Sequence, residues 1–212
     1  MRKQALCLAL LVALPVLQES ISAPAYLMPM FGGQARRSSA NEEKALVATY
    51  EKRGFTRQEG ARELLITGWN ALEKKDYTNA ISQLNQAWLL DPEYADVYHG
   101  FALIVERRDK DVKTAESLYR QALNKDDVAP ETYVDYGRLL LLQGRADESR
   151  EVSYKALDVS PRVRDARVNI AQAHYRQGNF VKACRWAKSA QQNGDNLPKG
   201  FQDEACTHAD SG

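Results

Sequence analysis

A chain of 212 residues, 44% of them apolar, can bury one substantial core and fits a single domain. Its 29 basic and 28 acidic residues nearly cancel, so net charge gives no pull toward nucleic acid or an anionic membrane. The histidines His99, His174 and His208 lie in separate segments without metal-ligand spacing, and no nucleophile motif or phosphate loop occurs, so the sequence offers no catalytic residue, metal or cofactor site.

The chain opens with Arg2 and Lys3, an apolar run over 5–17, and the small residues Ser22, Ala23 and Ala25. That is the layout of a signal peptide over 1–25, with Ala23-Pro24-Ala25 satisfying the small-residue rule for cleavage after Ala25. A bilayer-spanning helix needs about 20 residues and this run has 13, so the expectation is an exported protein, periplasmic or secreted, with no transmembrane segment after cleavage. Cys7 lies inside the run and not at its end, which gives no support to a lipid-modified N-terminal cysteine. Export leaves Cys184 and Cys206, an even pair that an oxidising compartment turns into a disulfide. Closing their 22-residue separation would contribute about 3 kcal/mol in the chain-entropy account; two free thiols are the alternative.

Residues 26–40 contain proline, paired glycine and paired serine and read as a flexible linker. Within them Tyr26, Leu27, Met28, Met30 and Phe31 form an apolar cluster that either docks in a groove or on a partner, or remains as an inert tether. Residues 41–60 read as an N-terminal capping helix, with Asn41 as N-cap and Glu42 and Glu43 in the first turn.

From Ala61 onward the chain repeats. The small residues Ala80, Ala115, Ser149 and Ala183 recur at spacings of 35, 34 and 34 residues. The segments are 61–94, 95–129, 130–163 and 164–197, with 198–212 left as a C-terminal cap and tail. Leu64, Gly68, Tyr77, Ala80, Leu84, Ala87 and Pro92 set the pattern in the first; Tyr133, Tyr136, Gly137, Gly144, Ala156 and Pro161 repeat it in the third; Ile170, Ala171, Gly178, Phe180, Ala183 and Ala190 repeat it in the fourth. The second fits once one residue is inserted in the loop near 110–112. Small residues let paired helices approach, an aromatic fills the space beyond each turn, and a lone hairpin cannot bury both faces, so the repeats must stack. A period of about 34 residues with these residue types resembles the tetratricopeptide repeat. The expected fold is therefore all-α, a right-handed solenoid of four helix-turn-helix repeats with capping segments.

In that family the first helix of each hairpin lines a concave groove that holds a peptide or an amphipathic helix. Carried over position by position, the resemblance places Leu65, Trp69 and Leu72 of the first repeat, Leu103 of the second, Val134, Arg138 and Leu141 of the third, and Val168, Tyr175 and Arg176 of the fourth in a partner-binding groove. His99, Glu106 and Arg107 fall at groove positions of the irregular second repeat. The basic pairs that clamp a terminal carboxylate in chaperone-binding members of the family are missing, so the resemblance implies an apolar stripe anchored by Trp69 and Arg138. The charge run over 106–111 reads as solvated.

Tyr136-Gly-Arg-Leu-Leu-Leu-Leu-Gln-Gly-Arg145 and Arg164-Asp-Ala-Arg-Val-Asn-Ile-Ala171 resemble the tetratricopeptide proteins that assist assembly of bacterial pili, of the type IV pilotin and tight-adherence kinds. Those proteins are typically anchored by a lipidated cysteine, which this chain lacks at its expected cleavage site. The reading is an exported adaptor that binds another protein, with no nucleic acid and no small-molecule substrate. A scaffold that associates with its own copies is the alternative.

Overall fold

The computed structural model describes residues 24–33 and 35–210. The signal-peptide reading falls, apart from Pro24 and Ala25, outside the described residues. The described chain is helical throughout: α1 (Ala35–Lys52), α2 (Arg57–Glu73), α3 (Tyr77–Leu90), α4 (Ala95–Ile104), α5 (Val112–Leu123), α6 (Pro130–Leu142), α7 (Ala146–Val159), α8 (Ala166–Arg176), α9 (Phe180–Asn193) and α10 (Phe201–Asp210). Helices α2/α3, α4/α5, α6/α7 and α8/α9 pair as hairpins, each packs on the next, and α1 and α10 close the two ends.

Local chemistry sets the helix ends. Thr56 and Glu59 form a capping box at α2, which starts at Arg57, ahead of the Ala61 boundary read from the repeat. The carboxylates of Asp76 and Asp111 accept from the amides of Asn79 and Thr114 at 3.1 and 3.0 Å and start α3 and α5. Pro130 occupies the first turn of α6, where its missing N–H costs nothing. Gly144 and Gly178 stop α6 and α8 with φ of 79° and 73°, a backbone region that disfavours any residue with a Cβ.

The inserted residue of the second repeat is absorbed within the helix, not in the loop. At its C-terminal end α4 widens into a π turn, Val105–Asp109, which Lys110 ends at φ 58°. That turn redirects Glu106 and Arg108, and neither is the free surface charge expected of a solvated run. Arg108 Nη2 donates to the Leu27 carbonyl at 2.9 Å.

Through that bond the N-terminal segment enters the fold. Residues 26–40, expected as a linker, form short 3-10 turns at Ala25–Leu27 and Pro29–Gly33 and then the start of α1. Asn85 Nδ2 on α3 donates to the carbonyls of Tyr26 and Met28 at 3.2 and 3.0 Å. Leu27 and Met30 pack against the main core. The apolar cluster thus docks on α3, a second helix of a hairpin, and not among the first helices that the family uses for ligands.

One hydrophobic core runs from Tyr50 to Leu140, built around Leu84, Phe101, Ile104, Leu118 and Tyr119. Further along, small polar residues replace apolar ones: Ser149, Ser153 and Asn169 are buried, and Asn169 Nδ2 donates to the Val134 carbonyl at 2.9 Å, tying α8 to α6. At the end of the stack Cys184 and Cys206 form a disulfide that fastens α10 to α9.

Two changes test this packing. A Cβ at Gly137 would lie 2.7 Å from Ser153 Oγ, 3.2 Å from Asn169 Nδ2 and 3.3 Å from the Ser149 carbonyl. Helix propensity favours alanine there by about 1 kcal/mol, whereas overpacking a helix crossing costs about 1–3 kcal/mol. Because one neighbour is backbone and another is committed to a hydrogen bond, overpacking dominates, and Gly137→Ala is expected to lose about 1–2 kcal/mol in urea denaturation. Glu116 joins three elements, receiving Arg145 at 2.7 Å, Arg120 at 2.8 Å and the Tyr136 hydroxyl at 3.0 Å. The hydrogen bond from Arg145 leads in lowering its pKa from the ordinary 4.5 to about 2, with Arg120 and Tyr136 adding and burial opposing. A carboxylate depressed on folding contributes stability that is present above its unfolded pKa and lost as pH falls through the folded one. Stability should therefore fall between pH 4.5 and about 2, with a shallower dependence in Glu116→Gln measured by denaturation across that range.

Candidate protein-binding groove

The first helices α2, α4, α6 and α8 carry the residues assigned to the groove. Six of them do not lie open: Leu65, Leu72, Leu103, Val134, Leu141 and Val168 are each at most 9% exposed. They are spent on packing within the stack, so these six do not present the expected apolar stripe to solvent. Tyr175 is half-buried: its ring packs edge-on to Phe180 and Phe201 at 5.2 and 5.4 Å and its hydroxyl donates to Glu204 of α10. Arg176 donates to the Leu141 carbonyl and latches α8 to α6. Of the ten residues, Trp69, Arg138, Tyr175 and Arg176 keep part of their side chains in contact with solvent.

Trp69 and Arg138 belong to one polar centre. Trp69, half-buried on α2, sets its ring edge-on to His99 of α4 with centroids 4.9 Å apart. His99 is 2% exposed and bridges two partners, with Nε2 3.0 Å from Asp135 Oδ2 and Nδ1 3.1 Å from Thr132 Oγ1. An ionised carboxylate can only accept, so Nε2–H donates to Asp135, and Nδ1 shares a hydrogen bond with the Thr132 hydroxyl. Arg138 completes the set. It forms a two-pronged pair with Glu106 at 2.8 and 2.9 Å and lies 3.5 Å from Asp135, while the Tyr119 hydroxyl donates to Glu106 at 3.3 Å. Arg138 is therefore no isolated anchor, although 36% of its side chain stays in contact with solvent.

Charge at this centre is unbalanced. Burial alone would raise the pKa of Asp135, but the hydrogen bond and charge of His99, with Arg138 and Arg107, hold it below the ordinary value. On the preceding turn of α4 the situation reverses. Burial, and then repulsion from Glu131, raise the pKa of Asp96 against the attraction of His99, and Asp96 Oδ1 has no partner. Glu106 and Asp135 are both held by Arg138, whereas Asp96, one turn before His99 and repelled by Glu131, keeps an unpartnered oxygen. Such a surface suits a cationic side chain next to an apolar one that packs on Trp69.

The repeat positions marked His99 and Glu106 as groove residues but not as members of one network. Asp135, Thr132 and Tyr119 carried no signal of their own. The spacing of Asp135 and Arg138, one turn apart on a helix, was the only local hint.

Among the described residues no group of histidine, cysteine, aspartate and glutamate could hold a metal ion, and no helix is long and apolar enough to cross a membrane. The family described as tetratricopeptide repeat matches residues 153–198, the end of the third hairpin and the fourth. The solved structure of PilF from Pseudomonas aeruginosa superposes with a TM-score of 0.66 at 19% identity, covering 73% of this chain and 71% of that one. PilW, a widely conserved type IV pilus biogenesis factor, superposes with a TM-score of 0.58 at 15% identity, covering 82% and 89%. The human protein O-mannosyl-transferase TMTC3 is 28% identical over 83 residues, 39% of this chain, which spans 9% of that relative. The fold is thus an all-α solenoid of the tetratricopeptide kind, shared with PilF and PilW.

Removing Asp135 would leave His99 Nε2 buried with a proton and no acceptor, a loss of about 1–3 kcal/mol or more. Asp135→Ala is accordingly expected to lower stability by about 2–3 kcal/mol, and Thr132→Val, which removes a neutral partner, by less, both read from urea denaturation.

Proposed function

From the tetratricopeptide fold we infer that this chain is an exported adaptor that holds a basic, apolar segment of another envelope protein at the Trp69–Arg138 centre. The observation that carries the reading is the unpartnered carboxylate oxygen of Asp96, one turn from the His99 ring on which the half-buried Trp69 packs. A guanidinium or ammonium group of the partner would join Asp96, whose Oδ1 lacks a partner, and a neighbouring apolar side chain would cover Trp69. The segment is a peptide or one face of an amphipathic helix.

Export rests on the sequence of residues 1–25 and is supported by the Cys184–Cys206 bond, since disulfides persist in oxidising compartments. Likeness in fold to PilF and PilW supports an envelope location and makes assembly of a pilus or a secretion system the natural setting. Nothing in the site calls for catalysis, because His99 and Asp135 are bound into the wall by Thr132 and Arg138 rather than presented to a substrate.

A photo-crosslinking amino acid in place of Trp69, in the full chain expressed in its own cell, should capture one discrete polypeptide. Charge reversal by Arg138→Glu, scored with a second crosslinker one helix away, should change that capture about tenfold, the effect of about 1.4 kcal/mol. Crosslinks only between copies of this chain would replace the adaptor by a self-associating scaffold.

A further inference from the structure

A second recognition site lies away from the first-helix wall, in the cleft between the second helices of the last two hairpins. An open cavity of about 760 Å³ separates α7 from α9 at the end where α8 turns into α9. One side carries Asp147, Arg150 and Tyr154 of α7, at the spacing that places residues on one helix face. The other carries Lys182, Arg185 and Trp186 of α9, and His174 of α8 lines the floor.

Three cations therefore face one carboxylate, and that carboxylate is taken: Arg150 donates to Asp147 at 2.6 Å and to the Gln177 side chain at 2.6 Å. Among the described residues Lys182 and Arg185 have no ion-pair partner, and both are exposed. Asn179, at the start of α9, lines the same cleft, and its side chain makes no capping bond to the first turn.

The floor supplies an independent sign. His174 is 5% exposed, yet its Nδ1 has no hydrogen-bond partner. A buried polar nitrogen left unsatisfied costs free energy, and such groups mark sites completed by something else. Burial, then the charges of Arg150 and Lys182, lower its pKa against the weaker pull of Asp147, so the empty cleft disfavours further positive charge at its floor. At the mouth, Tyr154 and Trp186 meet edge to face with centroids 5.7 Å apart and present an apolar platform beside the cations.

We propose that this cleft binds an acidic polypeptide segment, its carboxylates taken by Arg150, Lys182 and Arg185 and an adjacent apolar side chain laid on Tyr154 and Trp186. Its charge is opposite to that of the Trp69–Arg138 centre. One chain thus carries a basic-segment site and an acidic-segment site on different helices, which suits an adaptor that joins two partners. Neither site shares a residue with the other, so the cleft stands or falls independently of the groove.

The test is titration of the purified, 15N-labelled chain with a short peptide alternating glutamate and phenylalanine, followed at the Trp186 indole and His174 imidazole resonances. Saturable shifts of both, absent with the glutamine counterpart, are the expected result, together with a rise in the His174 pKa on binding. The exposed double change Lys182→Glu, Arg185→Glu should weaken the peptide at least about tenfold, the loss of about 1.4 kcal/mol of charged contacts. Trp69→Ala should leave its affinity unchanged. Equal binding by the charge-reversed chain, or no shift at either residue, would overturn the site. Inorganic phosphate moving His174 while the glutamate peptide moves nothing would also refute the polypeptide reading, in favour of a small free oxyanion.

Discussion

Close approach between the two helices of a hairpin, and between one hairpin and the next, is the constraint on which this structure depends. It is met wherever a residue lacks bulk. Added Cβ atoms at Gly60, Gly100 and Gly137 would come within 3.0 Å of Tyr50, Leu84 and Ser153 respectively. Ala80, Ala115, Ser149 and Ala183, at the recurring small position, are all fully buried. At such distances large side chains from one hairpin fill space beside the backbone of its neighbour, and dispersion and apolar burial act across every interface of the stack. The stability of the repeat array is then a matter of neighbours.

The same closeness decides what surface remains for recognition. Of the aliphatic positions expected to line a groove, Leu65, Leu72, Leu103, Val134, Leu141 and Val168 are buried in the packing of the stack, while Ile66 of α2 and Leu142 of α6 stay exposed. The centre among them is polar: His99, Asp135, Arg138 and Glu106 are joined end to end, each satisfied by the next except Asp96 nearby. A buried network of this kind contributes little net stability while it is whole and is costly when broken. Its effect is to hold His99, and the Trp69 ring packed against it, in one arrangement, which is what the proposed partner would meet.

Much of this was legible in the residues. Periodic small residues identify the hairpins, and the glycines and prolines mark their ends, since those signals are local and repeat. The disulfide was legible through an argument about compartment and parity, and α10 through the turn residues ahead of it. Less visible were features that depend on distant pairs. The apolar cluster at Tyr26–Phe31 stands out in the sequence, but its docking position is set by Asn85 and Arg108, 57 and 81 residues from the carbonyls they hold. The extra residue of the second repeat was countable, yet whether it bulges a helix or lengthens a loop is decided by what its side chains reach. Glu106 reaches Arg138, and Arg108 reaches Leu27, so the helix keeps its hydrogen bonds and widens into a π turn. Charge runs look solvated in sequence because nothing in them names a partner on another helix.

That π turn also links the two halves of the molecule. Arg108 fastens the N-terminal segment to the end of α4, while Glu106, two residues earlier, fastens α6 through Arg138. Residues two apart on a helix point to nearly opposite sides, which suits two partners that lie on different sides of one turn. The most divergent of the four repeats thus bonds both to the segment before α1 and to Arg138 of α6 from the same helix end.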